Sequence, residues 1–212
     1  MTIRPEAPAR LTVIHPLVVR ITHWINAAAV FCMLFSGWAI YNASPLFPFV
    51  FPKWATLGGW LGGALAWHFA AMWLFALNGL AYILYGLLAR HFATAFFPLS
   101  PRGVWRDARA ALALRLSHRV GQYNAVQRLA YVAAVLLGLL LVASGCALWK
   151  PVQWQGLANL FGGYEWARRV HFLAMAGLAG FIVLHLALVL IVPSTLVAMI
   201  TGRARVTEET VR

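Results

Sequence analysis

Residues 170–191 read Val-His-Phe-Leu-Ala-Met-Ala-Gly-Leu-Ala-Gly-Phe-Ile-Val-Leu-His-Leu-Ala-Leu-Val-Leu-Ile, an apolar run whose only ionisable side chains are His171 and His185. A run of this kind, about 20 residues long, reads as a helix that spans a hydrocarbon core. The two histidines stand 14 residues apart. On a helix that spacing returns to within ~40° of the same face and separates the pair by ~21 Å along the axis. Working outward, three more runs have the length and apolarity of spans. The predicted helices are 17–41, 57–88, 125–149 and 170–200, the last being a span to Ile191 with a tail towards Ile200. The expected fold is an all-α integral membrane protein, a four-transmembrane-helix bundle forming one domain over residues 1–212. Pro45, Pro48 and Pro52 break the first connection, Pro98 and Pro101 the second. No connection is long enough to bury a core of its own.

Composition agrees. Of 212 residues, 62% are hydrophobic and 10% charged, against about 45–50% and about 25% in soluble domains. The five acidic residues exclude a carboxylate-rich metal cage. The formal charge of +12 suggests nucleic acid until its placement is read, since the basic residues flank apolar runs, the membrane pattern. Membrane lipid is therefore the expected partner and nucleic acid is not. Of the lysines and arginines, 13 fall on the side of the two termini and the second connection. Only Lys53, Lys150, Arg168 and Arg169 fall on the other, so both termini are expected to be cytoplasmic. No cleavable signal is visible before the first run, which should act as its own targeting element. Cys32 and Cys146 lie inside apolar runs without a Cys-x-x-Cys pair, which argues against a disulfide scaffold, a zinc site and covalently attached haem.

Four histidines, His23, His68, His171 and His185, lie within the spans. Polar groups at such positions are costly and mark function by default, and neutral imidazole is both a metal ligand and an axial ligand of haem iron. The first helix enters from the same side as the carboxyl end of the fourth, so His23 matches His185 in depth. The second enters from the opposite side, and His68 matches His171. Depth alone thus predicts two non-covalent b haems, each held by two histidines, His23 with His185 and His68 with His171. A zinc or di-iron centre is disfavoured because the helices bring no carboxylate. Met33, Met72 and Met175 are candidate axial ligands; the last two follow histidines by four residues, which suits packing against the porphyrin. His15, His91 and His118 are expected at the solvated or headgroup interface. The aromatic connections, 45–60 and 152–166, read either as an interfacial belt or as a docking surface.

The runs Arg20-Ile-Thr-His23-Trp24, Tyr123-Asn124-Ala-Val-Gln127-Arg128, Ser144-Gly145 with Trp149-Lys-Pro151, and the His171/His185 spacing resemble the bacterial cytochrome b-561 and nickel hydrogenase cytochrome b family. The resemblance runs from about His15 to Met199. It implies a di-haem subunit of the bacterial inner membrane that moves electrons between the quinone pool and a periplasmic redox enzyme. A molybdopterin oxidoreductase is the first choice of partner and a hydrogenase the second. A free-standing superoxide:quinone-type oxidoreductase and a haem carrier or sensor are the rivals. The resemblance also implies a quinone site beside the cytoplasmic-side haem, with Asn124 at the quinone carbonyl. Asn124, Gln127 and Arg128 share one helix face, and the same residues suit a helix cap and an interfacial arginine. Arg20, one turn before His23, fits either a haem propionate or a charge that sets topology.

Overall fold

The structure, a computed structural model, describes residues 10–113 and 124–206. His118 and Tyr123, and four of the 13 basic residues counted on the side of the termini, Arg4, Arg115, Arg119 and Arg212, lie outside the described residues. The chain runs β1 (Arg10–Val13), α1 (Leu17–Ala43), α2 (Leu61–Leu88), α3 (His91–Ala95), α4 (Pro101–Leu112), α5 (Ala125–Trp149), α6 (Gln155–Leu160), α7 (Tyr164–Ile191), α8 (Ser194–Thr201) and β2 (Arg203–Val206). Helices α1, α2, α5 and α7 are long and apolar enough to cross a membrane. At 25–28 residues each they reach about 38–42 Å, beyond the ~30 Å of hydrocarbon.

Three boundaries differ from the sequence expectation by more than two residues. Helix α2 begins at Leu61, because the chain turns at Gly58-Gly59 and the Leu57 amide bonds the Phe35 carbonyl of α1 at 3.0 Å. Helix α7 begins at Tyr164, where Glu165 in the first turn suits the positive end of the helix dipole. It does not continue to residue 200. Pro193, which lacks an N–H, ends it after Ile191 and the chain restarts as α8. The all-α expectation also gains an exception, an antiparallel ribbon pairing Arg10 with Val206 and Val13 with Arg203. That ribbon brings both ends of the described chain to one end of the bundle, here called the terminal end.

The tightest packing is α1 with α2 and α5 with α7. The buried contact residues are mostly small, including Ala64 and Ala71 of α2 and Ala167 and Ala174 of α7. Small side chains let helices approach closely where lipid removes the usual hydrophobic drive. Apolar side chains such as Leu77, Leu87, Leu136, Leu190 and Ile191 are exposed, as faces solvated by lipid are.

The two helix pairs are copies of one plan. Helix α1 starts at Leu17 and α5 at Ala125, 108 residues later. Helices α2 and α7 both have 28 residues and start 103 apart, and α3 and α8 start 103 apart as well. At those offsets Arg20 matches Arg128, and Ser36-Gly37 matches Ser144-Gly145. Likewise His68-Phe-Ala-Ala-Met72 matches His171-Phe-Leu-Ala-Met175.

Arg20 ties the terminal end together. Its Nε donates to the Met199 carbonyl at 3.2 Å and its Nη2 to the Ile200 carbonyl, at the negative end of α8. Gly202 follows in the left-handed region at φ +79°, and its carbonyl accepts from the amides of Ile14 and His15. A Cβ at Gly202 would lie 2.9 Å from Arg20 Nη1 and 3.1 Å from the His15 carbonyl. Gly202→Ala should therefore cost about 1–3 kcal/mol locally and release the ribbon. Limited proteolysis of the detergent-solubilised protein should show faster cleavage near residues 10–16, and unchanged cleavage would show that the ribbon does not depend on this turn.

Candidate functional site

The four intramembrane histidines form two pairs. The His23 and His185 ring centres lie 6.1 Å apart at the terminal end. The His68 and His171 centres lie 6.5 Å apart towards the far end. Both pairs are inclined at 65°. Such separations leave room for one metal atom between facing ring nitrogens at the ~2.0–2.1 Å of a metal–imidazole bond. No group of three or more metal-ligating side chains exists among the described residues, so the donor set suits two-fold axial ligation rather than a cage.

At the far-end pair the ring tautomer is set by neighbours. Ser36 Oγ of α1 lies 3.1 Å from His68 Nδ1, and Ser144 Oγ of α5 lies 3.0 Å from His171 Nδ1. Each hydroxyl donates its proton to the carbonyl four residues back, Cys32 at 2.7 Å and Leu140 at 2.6 Å. The oxygen then accepts from Nδ1–H, which leaves Nε2 with its lone pair free for a metal. Both serines are fully buried. The ring edges pack beside the following glycines, Gly37 and Gly145, where an added Cβ would sit at an ordinary contact distance of 3.4 Å from Cε1 of His68 or His171. The sequence reading singled out Ser144-Gly145 without this role and missed Ser36-Gly37. The repeated His-Phe-x-Ala-Met motif was the signal that relates them.

The terminal-end pair is built differently. His185 stacks on Phe181, with ring centres 5.9 Å apart, and His23 meets Trp24 edge-on. A cavity of about 2150 Å³ opens beside the pair, walled by Val30, Phe31, Gly138, Leu178 and Phe181. Ligand pockets commonly enclose about 300–1,000 Å³. Asn26 Oδ1, one turn from His23, lies buried there without a hydrogen-bond partner.

Asn124 is a helix cap. Its Oδ1 accepts from the Gln127 amide at 2.9 Å, and Gln127 Oε1 accepts from the Asn124 amide at 3.1 Å, a reciprocal capping box. Asp107 of α4 reinforces this start by accepting from the Ala125 amide at 2.9 Å. That bond holds the Asp107 carboxyl below its usual range. Gln127 and Arg128 line the cavity, whereas Asn124 does not. Arg128 also donates to the Pro98 carbonyl at 3.0 Å. Arg20 is committed to the carbonyls of α8, an anchoring role that neither sequence reading of it named.

His15 and His91, expected among solvent and headgroups, line the cavity mouth half-buried. Burial pushes His15 below the ordinary imidazole value, with the like charges of His91 and Arg20 adding to it. Burial alone does the same to His91. The mouth therefore favours neutral imidazoles.

The first aromatic connection divides between inward packing and exposure. Phe51 stacks on Trp38 at 4.6 Å, and Tyr41 stacks on Phe49 at 5.2 Å and on Phe172 at 5.0 Å. Asn42 holds Phe51 by two bonds of 2.8 Å. Phe172, the residue after His171, joins this cluster of rings to α7. Trp54 and Trp60 remain exposed. At the same end, Arg168 donates to the Ser44 carbonyl and, at 3.0 Å, to its hydroxyl.

Comparison with known proteins accords with this geometry. The prokaryotic cytochrome b561 family matches residues 14–202. The chain is 52% identical over 190 residues to the putative protein-methionine-sulfoxide reductase subunit YedZ1 of Azospira oryzae, covering 89% of this chain and 96% of that one. It is 25% identical over 194 residues to the probable Ni/Fe-hydrogenase B-type cytochrome subunit of Cupriavidus necator, covering 83% and 78%. With four helices among the described residues long and apolar enough to cross a membrane and histidines paired within them, the chain belongs to the prokaryotic cytochrome b561 family of b-haem membrane electron-transfer subunits.

Proposed function

We propose that this chain holds two b haems, one between His23 and His185 and one between His68 and His171, and passes electrons between the quinone pool and a periplasmic redox enzyme. The observation that carries the reading is the pair of facing imidazoles at each of two levels, with ring centres 6.1 and 6.5 Å apart. When bound, the haems supply one-electron transfer through the hydrocarbon. The chain's part is to fix their positions, and α7 sets their spacing because it carries one ligand of each pair.

The charge distribution supports both termini lying in the cytoplasm, which would set the His68/His171 pair on the periplasmic side. The cavity mouth then faces the cytoplasm. There Gln127 and Arg128 line the entrance, and Asn124 sets the start of α5 that carries them. The capping box uses the side-chain oxygen of Gln127, so this cavity-lining residue keeps an amide NH2 able to donate to a quinone carbonyl, while Asn124 acts through the helix start it holds. His15 and His91, held neutral, can accept and release the protons that quinone chemistry consumes or liberates.

A catalytic subunit is the expected partner. The two relatives are named as subunits, one of a protein-methionine-sulfoxide reductase and one of a hydrogenase, which favours a partner-bound cytochrome over a free-standing superoxide:quinone oxidoreductase. A periplasmic oxidoreductase of the first kind, in the molybdopterin class suggested by the sequence resemblance, is preferred to a hydrogenase.

Acid acetone should extract all the haem, and a pyridine haemochrome assay should return two per polypeptide; one per polypeptide would refute the pairing. Replacing His68 or His171 by alanine should remove one spectral component, and replacing His23 or His185 the other. Ser36→Ala and Ser144→Ala should weaken retention of the His68/His171 haem about 10–100-fold, read by haem loss on dilution, and leave the other haem in place. Asn124→Ala should slow haem oxidation by a quinone analogue with both haem spectra intact, and normal kinetics there would leave Asn124 a helix cap alone.

A further inference from the structure

The duplication of the helix pairs predicts where a second terminal-end site lies. At the offsets that match α1 to α5 and α2 to α7, His23 corresponds to Tyr131 and His185 to Tyr82. The correspondence extends to the surroundings. Arg20 on α1 reaches carbonyls at the end of α8, the helix that follows α7. Arg128 on α5 reaches the Pro98 carbonyl in the segment that follows α2 and α3. Tyr82 and Tyr131 line the same cavity as His23 and His185. The void therefore has two related halves, one presenting imidazoles and one presenting phenols.

From this arrangement we infer that the Tyr82/Tyr131 half of the cavity is the binding site for a quinone headgroup. This rests on the quinone reading above and gives it a place. A phenol is a poor counterpart to imidazole for a low-spin b haem, but it suits a quinone in both redox states. Its O–H donates to a carbonyl, and its oxygen accepts from a hydroquinone hydroxyl. An aromatic cluster packed on itself holds the two phenols in place, and of its members Tyr82, Phe96 and Tyr131 line the cavity. Phe96 faces Tyr131 at 6.4 Å with ring planes 28° apart, Phe92 stacks on Phe96 at 4.9 Å, and Tyr82 meets Phe92 edge-on at 5.5 Å. At about 2150 Å³ the void exceeds the ~300–1,000 Å³ of a single ligand pocket, so a second ligand beside the first is in keeping with its size. Gln127 and Arg128 stand one turn or less from Tyr131 on α5, between this half and the mouth.

The experiment uses the haem-loaded protein in detergent, with reoxidation of the reduced haems by a short-chain quinone analogue followed optically. Tyr82→Phe and Tyr131→Phe remove only the hydroxyls. The double variant should lose about tenfold or more in apparent quinone affinity, the worth of one to two hydrogen bonds, with haem content and spectra unchanged. Unchanged affinity in the double variant overturns the inference. Loss of a haem in either variant overturns it as well, since the tyrosines would then serve a haem. Should the variants fail to accumulate, an azido-quinone crosslinked to the wild-type protein decides. Label within residues 82–96 or 127–131 supports the site, and label confined elsewhere refutes it. A wild-type protein whose haems do not react with quinone at all would refute the functional reading itself, a result distinct from any of these.

Discussion

An imidazole inside hydrocarbon has two ring nitrogens and no water to satisfy them. Leaving a buried polar group unpaired costs about 1–3 kcal/mol, and here four rings are placed in apolar helices. The architecture follows from answering that demand. At the His68/His171 level each Nδ1 is met by a serine on the neighbouring helix, at 3.1 and 3.0 Å, and the remaining nitrogen faces across the bundle. The serine must be buried and must point at the ring. Ser36 and Ser144 meet both conditions. Close packing within α1/α2 and α5/α7, and the sparse packing between those pairs, are consequences. Each serine-bearing helix must touch its histidine-bearing partner, while the space between pairs is left for what the histidines hold.

The terminal-end level solves the same problem without serines. His185 has a ring stacked on Phe181, and His23 lines an open void rather than a tight socket. Far-end ligands are thus oriented by hydrogen bonds from buried serines, whereas terminal-end ligands border a large cavity. An oriented pair at one level and a cavity at the other suit a protein that exchanges a small molecule at the terminal end.

Much of this was legible in the sequence, for identifiable reasons. Span positions follow from long apolar runs, and the histidine pairs follow from helix direction and depth, because antiparallel helices convert sequence position into height. Helix ends were less legible. Tyr164-Glu-Trp-Ala-Arg-Arg169 reads as the end of an aromatic connection and the charges after it, yet its residues satisfy helix geometry and extend α7 beyond the apolar run. Pro193 was hidden inside a hydrophobic tail. Arg20 was read against ligands and topology, while its actual partners are carbonyls 179 and 180 residues away. No local pattern announces such a contact. The aromatic connection was read as facing outward, because composition cannot say that Asn42 would hold Phe51 with two hydrogen bonds and fold the segment onto α1.

The internal repeat explains why some residues recur and why others differ. A duplicated helix pair yields a symmetric bundle, and the far-end site lies where the symmetry relates its own two halves: His68 and His171 are copies of each other, as are the serines that hold them. A site between α1 and α7 is not of that kind. Its symmetry mate lies between α5 and α2, so duplication supplies two terminal-end positions. The chain has placed imidazoles in one and phenols in the other. That divergence separates the ring chemistry of the two halves while leaving the arginine clamps, Arg20 to α8 and Arg128 to Pro98, in corresponding places. Conserving the scaffold and changing only the ring at the ligand position is the smallest alteration that converts a metal-ligating position into one for an organic headgroup, because imidazole and phenol occupy similar space but only imidazole carries an sp² nitrogen lone pair at neutral pH.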